Sequence, residues 1–245
     1  MMKHITIMNV PFLNTDHHSF VYLLNKRIQQ KEKTFVVTAN PEVVMKAQED
    51  LHFMQQLQQA TYIVADGIGI VKAAKILKQP LPERVTGYDT MIDLLKLAEK
   101  NHYRIFLLGA QEETLQRAIT NIQNQFPNIE IVGCKDGYFN LESNDITDHI
   151  VQLQPDITFV ALGCPRQENW IANNLSKFNH GLLMGVGGSF DVIAGKVQRA
   201  PVIFQKLNLE WLYRLIKQPT RWRRMLALPQ FAFHIVKQKK KEKVS

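Results

Sequence analysis

Four short stretches carry side chains whose type and position could do chemistry. In TANPEVV, Thr38 and Asn40 stand at the end of an apolar run. Asn40 before Pro41 reads as the N-cap of a helix with proline in its first turn, or as an amide turned into a site. In YIVADGIGIV, Asp66 closes another apolar run ahead of two glycines. A carboxylate there either caps the next helix or serves as a general base that takes a proton from a hydroxyl. In ALGCPRQENW, Gly163 and Pro165 mark a sharp turn, after which Arg166 and Gln167 enter a helix. The first amides of that helix can face an anion, unless this is an ordinary turn with exposed polar residues. In GVGGSFDVIAGKVQRAP, Gly187 and Gly188 would let backbone approach a ligand closely, and Ser189 or Asp191 either caps a helix or meets a nucleotide.

Several chemistries are excluded or weakened by what these loops lack. GIGIVK from Gly67 has Lys72, and GVGGSF from Gly185 has Phe190, where a dinucleotide fingerprint has its third glycine. That weakens a nicotinamide-dependent oxidoreductase. The sequence has no GxxxxGK[ST] segment, which removes a P-loop nucleotidase, and no D-x-D pair or His/Cys cluster with metal spacing. Phosphate chemistry here would rest on arginines and backbone amides, with no metal or cofactor expected.

The elements that must position these residues alternate. HITIMN, TFVVTA, YIVAD, RIFLLG, IEIVGC, ITFVAL and GLLMGV read as strands, and amphipathic patterns such as MIDLLKLAEKN and ETLQRAITNIQNQF read as helices between them. Continuous apolar strands separated by helices predict an α/β fold, Rossmann-like, with a mainly parallel sheet and helices on both faces. Ligands of such sheets collect at the carboxyl ends of the strands, where all four stretches fall.

At 245 residues and 45% apolar content, one sizeable core is expected, with an appendage. The charge marks the boundary. Residues 199–245 hold 12 Lys/Arg against 2 Asp/Glu, whereas residues 1–198 hold 18 against 20. We therefore divide the chain into an α/β domain, 1–198, and a basic C-terminal appendage, 199–245, through which any polyanion would be met. The N-terminus has no signal-peptide pattern, no apolar run approaches a membrane span, and Cys134 and Cys164 form no disulfide or metal motif. A reducing cytosol is expected, with a membrane surface still open to the protein; the oligomeric state, self-association included, is left open.

TANPEVV, ADGIGIV, ERVTGYD, GCPRQE, GVGGSFDVIAGKVQRAP and LEWLYRL followed by QPTRWRR occur in this order across nearly the whole chain. In that order and spacing they resemble the motifs of the WecG/TagA/CpsF glycosyltransferase family, and within it the TagA/TarA branch of wall teichoic acid synthesis in Gram-positive bacteria. The resemblance implies an inverting transfer of N-acetylmannosamine from UDP-ManNAc to undecaprenyl-diphosphate-linked GlcNAc, forming a β-1,4 linkage. A different donor of the same family, such as a ManNAc uronic acid, is the alternative. By the same resemblance Asp66 is the base, with Thr38 and Asn40 beside it, and Arg84 and Gln167 are polar pocket residues. Arg84 otherwise reads as a surface ion pair with Glu83 or a neighbour.

The resemblance also gives the appendage a task, since a polyprenol-linked acceptor stays in the bilayer and its enzyme must come to the inner face of the cell membrane. Trp211, Leu212, Leu215, Met225, Leu226, Leu228, Phe231 and Phe233 offer apolar contact, and the cations suit anionic headgroups. Arg214, Lys217, Arg221 and Arg224 follow spacings of 3, 4 and 3, nearly one helical face, which Pro219 divides into two short helices. The family resemblance implies that Arg214, Arg221 and Arg224 also reach the substrate diphosphate. The bland alternative is a C-terminal helix packed on the body with a solvated basic side. A Rossmann-like nucleic-acid-binding protein with a phosphate-gripping tail is the competing class. The leucines and phenylalanines of the tail are excessive for such an arm, so no nucleic-acid partner is expected.

Overall fold

The computed structural model describes residues 3–207, 209–219 and 222–241, apart from the side chains of Lys206, Arg214, Arg223, Arg224, Lys240 and Lys241. The chain opens with a hairpin, β1 (His4–Ile7) and β2 (Val10–Leu13), whose turn residues Met8 and Asn9 both have positive φ. Two consecutive left-handed residues give the turn twist that antiparallel strands need. From sequence residues 4–9 read as one strand running through the turn, because the reversal lies in backbone angles that Met8 does not advertise.

Next come α1 (His17–Gln29), β3 (Thr34–Ala39), α2 (Pro41–Glu49), α3 (Leu51–Gln58), β4 (Tyr62–Ala65), α4 (Ile68–Ile76) and α5 (Gly87–Asn101). The second half runs β5 (Arg104–Gly109), α6 (Glu112–Gln125), β6 (Glu130–Lys135), α7 (Asp145–Leu153), β7 (Ile157–Ala161), α8 (Arg166–Asn174), β8 (Leu182–Gly185) and α9 (Ser189–Ile193). Six strands form one parallel sheet in the order β4-β3-β8-β7-β5-β6. The expected α/β architecture with helices on both faces is therefore present. β7 and β8 are buried at every position, as strands covered on both faces must be.

The connections decide which face each helix covers. Crossovers stepping toward β4 carry α2, α3, α7 and α8, which pack on one face together with the hairpin and α4. Links stepping toward β6 deliver α5 and α6 to the other face, where α1 also packs. That division is what crossovers of a single hand produce. Leaving β8 the chain turns to the second face, through Phe190 of α9, while it leaves the neighbouring β3 and β7 toward the first. Connections that diverge around one strand open a crevice at the carboxyl ends of β3, β8 and β7.

After residue 199 come α10 (Val202–Lys206), α11 (Glu210–Lys217), α12 (Trp222–Met225) and α13 (Ala227–Lys241). The helical phase does end before Pro219, as its ring requires. α13 is not detached. Phe231 (4% exposed) and Ile235, one turn apart, are buried in the first-face cluster, where α13 lies on α2 and α4. Gln238 Oε1 accepts from Met8 N at 3.1 Å, tying α13 to the hairpin turn. The expectation that Phe231 offers apolar surface to lipid is thus corrected: helical spacing turns it inward, while Phe233 (69% exposed) points out. Among the described residues, no helix is long and apolar enough to cross a membrane.

Candidate active site

Asp66 continues β4 by one residue, its N–H donating to Ala39 O at 2.9 Å, so that it stands level with the end of β3. It does not cap α4: the N-cap there is Gly67, at φ +138°, with no side-chain cap. Its Oδ2 instead accepts from the N–H of Gly87, the first residue of α5, at 3.4 Å. The N-terminus of a fifteen-residue helix thus points at a carboxylate, the sign its dipole favours. Thr38 faces the same spot: a Cβ at Gly87 would lie 2.9 Å from Thr38 Oγ1, which is why α5 begins with glycine. Thr38 Oγ1 also lies 3.5 Å from Gly185 O of β8. Asn40 does cap α2, its Oδ1 accepting from Val43 N at 3.1 Å, and remains half-buried beside Asp66 on the strand edge. Thr38, Asn40, Asp66 and Gly87 therefore meet at one place.

The glycine loops border the crevice on its other side. Gln167 is buried, and its Oε1 accepts from Gly163 N at 3.2 Å and Gly187 N at 3.0 Å. Gly187 and Gly163 both have positive φ, and Gly188 is exposed. Asp191 lies in the first turn of α9, its backbone carbonyl accepting from Lys196 and Val197. Arg166 is exposed on the rim, with Nη2 3.4 Å from Gly137 O, away from the Asp66 cluster in chain and sheet order.

Arg84 belongs to a separate chain of charges. Its Nη1 is 3.2 Å from Glu210 Oε2 of α11, and Arg199 Nε lies 3.8 Å from the other carboxylate oxygen. Arg199 in turn grips Asp89 through both terminal nitrogens, at 2.7 and 2.9 Å, and lies over the Tyr88 ring at 4.7 Å. Burial works to raise the Asp89 carboxyl, but hydrogen bonds from Arg199 and Thr86 outweigh it and hold it below the usual range. The partner of Arg84 is thus Glu210, distant in sequence, and not Glu83. A cavity of about 580 Å³ opens here, lined by Arg84, Thr86, Asp89, Asp93, Lys96 and Arg199 among others. Asp66 is not among its lining residues. The candidate site is the polar cluster at the strand ends, where main-chain donors converge, and the charged cavity meets it through Thr86, the residue before Gly87.

Arg221 lies outside the described residues, as do the side chains of Arg214 and Arg224. Among the described residues no group of three or more His, Cys, Asp or Glu side chains could hold a metal ion. Sequence reasoning did not assign Gly87, Arg199, Glu210 or Glu168. Gly87 could have been found from its place one residue after Thr86, a helix N-cap. Glu168 could have been found because it precedes Ile171 and Ala172, on the buried face of α8, by three and four residues.

The family profile described as Glycosyl transferase WecG/TagA/CpsF family matches residues 5–245. Among curated relatives, a Bacillus subtilis (strain 168) protein is 40% identical over 243 residues, covering 99% of this chain and 94% of the relative. A Staphylococcus aureus (strain MW2) protein is 41% identical over 241 residues, covering 98% and 94%. Both relatives bear the name N-acetylglucosaminyldiphosphoundecaprenol N-acetyl-beta-D-mannosaminyltransferase.

Proposed function

This chain belongs to the glycosyl transferase WecG/TagA/CpsF family, and from that premise we propose that it transfers N-acetylmannosamine from UDP-ManNAc to undecaprenyl-diphosphate-linked GlcNAc, an early step in the teichoic acid linkage unit. The observation that carries the reading is the Asp66 carboxylate at the end of β4, set against Gly87 N beside Thr38. In an inverting displacement the acceptor hydroxyl oxygen bonds to the anomeric carbon from the face opposite UDP. The anomeric carbon–oxygen bond to UDP breaks with its electron pair on the diphosphate, and the hydroxyl proton passes to Asp66. A single base suffices for this, and it contributes about 10²–10⁴-fold.

The charge on departing UDP is met by arginine and by loop amides, without a resident metal. Arg84 is the described guanidinium closest in sequence to the Asp66 cluster, and a diphosphate reaching it must share or displace Glu210. Arg214, Arg221 and Arg224 are assigned to the acceptor diphosphate by family resemblance. The acceptor lies in a bilayer, and exposed apolar side chains concentrate on the segment that follows Ala200: Val202, Ile203, Leu207, Trp222, Leu226 and Phe233. With the basic residues around them they give reversible, salt-sensitive attachment to the anionic inner face of the cell membrane.

The test is sugar transfer from a panel of UDP-sugars to a short-chain lipid-diphosphate GlcNAc, in excess EDTA. Transfer from UDP-ManNAc above all other donors is expected. Preference for another UDP-sugar would redirect the donor assignment, and activity that disappears in chelator and returns with Mg²⁺ would refute metal independence.

A further inference from the structure

Helix α8 holds a buried carboxylate that the transfer chemistry does not use. Glu168 is 2% exposed; its Oε1 accepts from Gln167 Nε2 at 2.7 Å, and its Oε2 has no oxygen or nitrogen partner among the described residues. Burial pushes this carboxyl up to about 7, against the hydrogen bonds it receives from Gln167, its own amide and the Cys164 thiol. A carboxyl group in such surroundings opposes folding, so an apolar residue would sit there at less cost.

What the carboxyl does is orient its neighbour. A glutamine amide can be placed two ways, with oxygen and nitrogen exchanged, and only its surroundings choose between them. Because Nε2 donates to Glu168, Oε1 must face the opposite way, and there it accepts from Gly163 N and Gly187 N. Turned over, the amide would set its NH2 against two N–H donors and give up its donation to Glu168 Oε1. The fit leaves no slack, since a Cβ at Gly185 would lie 2.6 Å from Gln167 Nε2. The two amides belong to the β7–α8 and β8–α9 loops, neighbours across the crevice.

We infer that Glu168 is a positioning residue: by fixing the orientation of the Gln167 amide, it holds the Gly163 and Gly187 loops at the spacing that receives the donor's nucleoside diphosphate. The positioning role stands on geometry alone, and the ligand rests on the proposed function. Glu168→Gln, Glu168→Leu, Gln167→Leu and the Gln167→Leu/Glu168→Leu double variant separate the two. In the ligand-free protein, amide hydrogen exchange at Gly163 and Gly187 should accelerate about tenfold or more in Glu168→Leu and in Gln167→Leu, the scale of a lost hydrogen bond, while β3 and β5 stay protected. Glu168→Gln, whose own amide oxygen still accepts, should leave both glycines slow. UDP binding measured by calorimetry should weaken about tenfold in each Leu variant and no further in the double variant, because one residue acts through the other. Slow exchange at both glycines in Gln167→Leu, which keeps the carboxyl and tests the strut even if Glu168→Leu does not fold, would overturn the inference. So would losses of UDP affinity that add in the double variant. Wild-type protein that shows the expected exchange pattern but no UDP binding would refute the donor reading and leave the positioning role standing.

Discussion

At the carboxyl edge of the sheet, polar side chains are held by main chain: Asp66 by Gly87 N, Asn40 by Val43 N, and Gln167 by Gly163 N and Gly187 N. Where the segment that begins at Arg199 meets the body, they are held by other side chains, in the series Arg84, Glu210, Arg199 and Asp89. Main-chain donors at Gly87 and Val43 belong to the first turns of α5 and α2, and the Gly163 and Gly187 loops are tied together by the buried Gln167, so the first region is preorganised for one geometry. Ion pairs that touch solvent exchange partners at little cost, and under the proposed function the second region releases Glu210 to accept a diphosphate. The apolar residues divide along the same line. Phe231 and Ile235 complete the core, and Phe233, Trp222 and Leu226 face outward.

The comparison breaks first at Asp66. Asp66→Asn should retain the circular dichroism and melting point of the parent and lose roughly 10²–10⁴-fold in turnover. Near-normal turnover in the folded variant would place the base elsewhere. The next test divides α13 in two. Phe231→Ala should destabilise the protein by about 3–5 kcal/mol in denaturant titrations. Phe233→Ser should stay within about 0.5 kcal/mol of the parent yet reduce sedimentation with anionic liposomes. Equal stability effects at the two positions would erase the distinction between core and surface faces. It follows that deleting everything from Arg199 onward removes core cover as well as the proposed membrane contact, so loss of function in that truncation does not by itself test the membrane role.

Glu168 sharpens the comparison from the side of pH. Its folded-state value of about 7 stands above the ordinary 4.5, so the folded protein holds a proton that the unfolded chain has released. The stability this contributes is fully present below pH ~4.5 and is lost as pH rises through about 7, a span worth roughly 3 kcal/mol. Glu168→Gln should remove that slope, gaining on the parent between pH 5 and pH 8. Parallel pH profiles would show that the carboxyl is not held protonated. The smallest effect is expected at the ion pairs. Glu210→Gln should cost at most about 1 kcal/mol of stability and tighten pyrophosphate binding several-fold. Unchanged pyrophosphate affinity would remove Arg84 from the diphosphate site.

Much of the sheet was legible because its strands are covered on both faces. TFVVTA, RIFLLG and ITFVAL read as continuous apolar runs, and Thr38, Asp66, Gly163 and Gly187 could be located at or beyond their ends by counting. The helix from Met91 to Asn101 was legible by period, though it starts earlier, at Gly87, where a glycine yields space to Thr38. Local order of this kind follows from spacing along the chain, so the sequence by itself determined the α/β class and placed the polar candidates at the carboxyl edge of the sheet. Only the tertiary structure decided which alternatives held: that Asp66 faces α5 and does not cap α4, that Arg84 pairs with Glu210, 126 residues away, and that Phe231 turns inward while Phe233 does not. Each of these depends on which helix packs against which strand end. Propensity and periodicity act within a few turns of chain, whereas these contacts are set by burial between elements far apart in sequence.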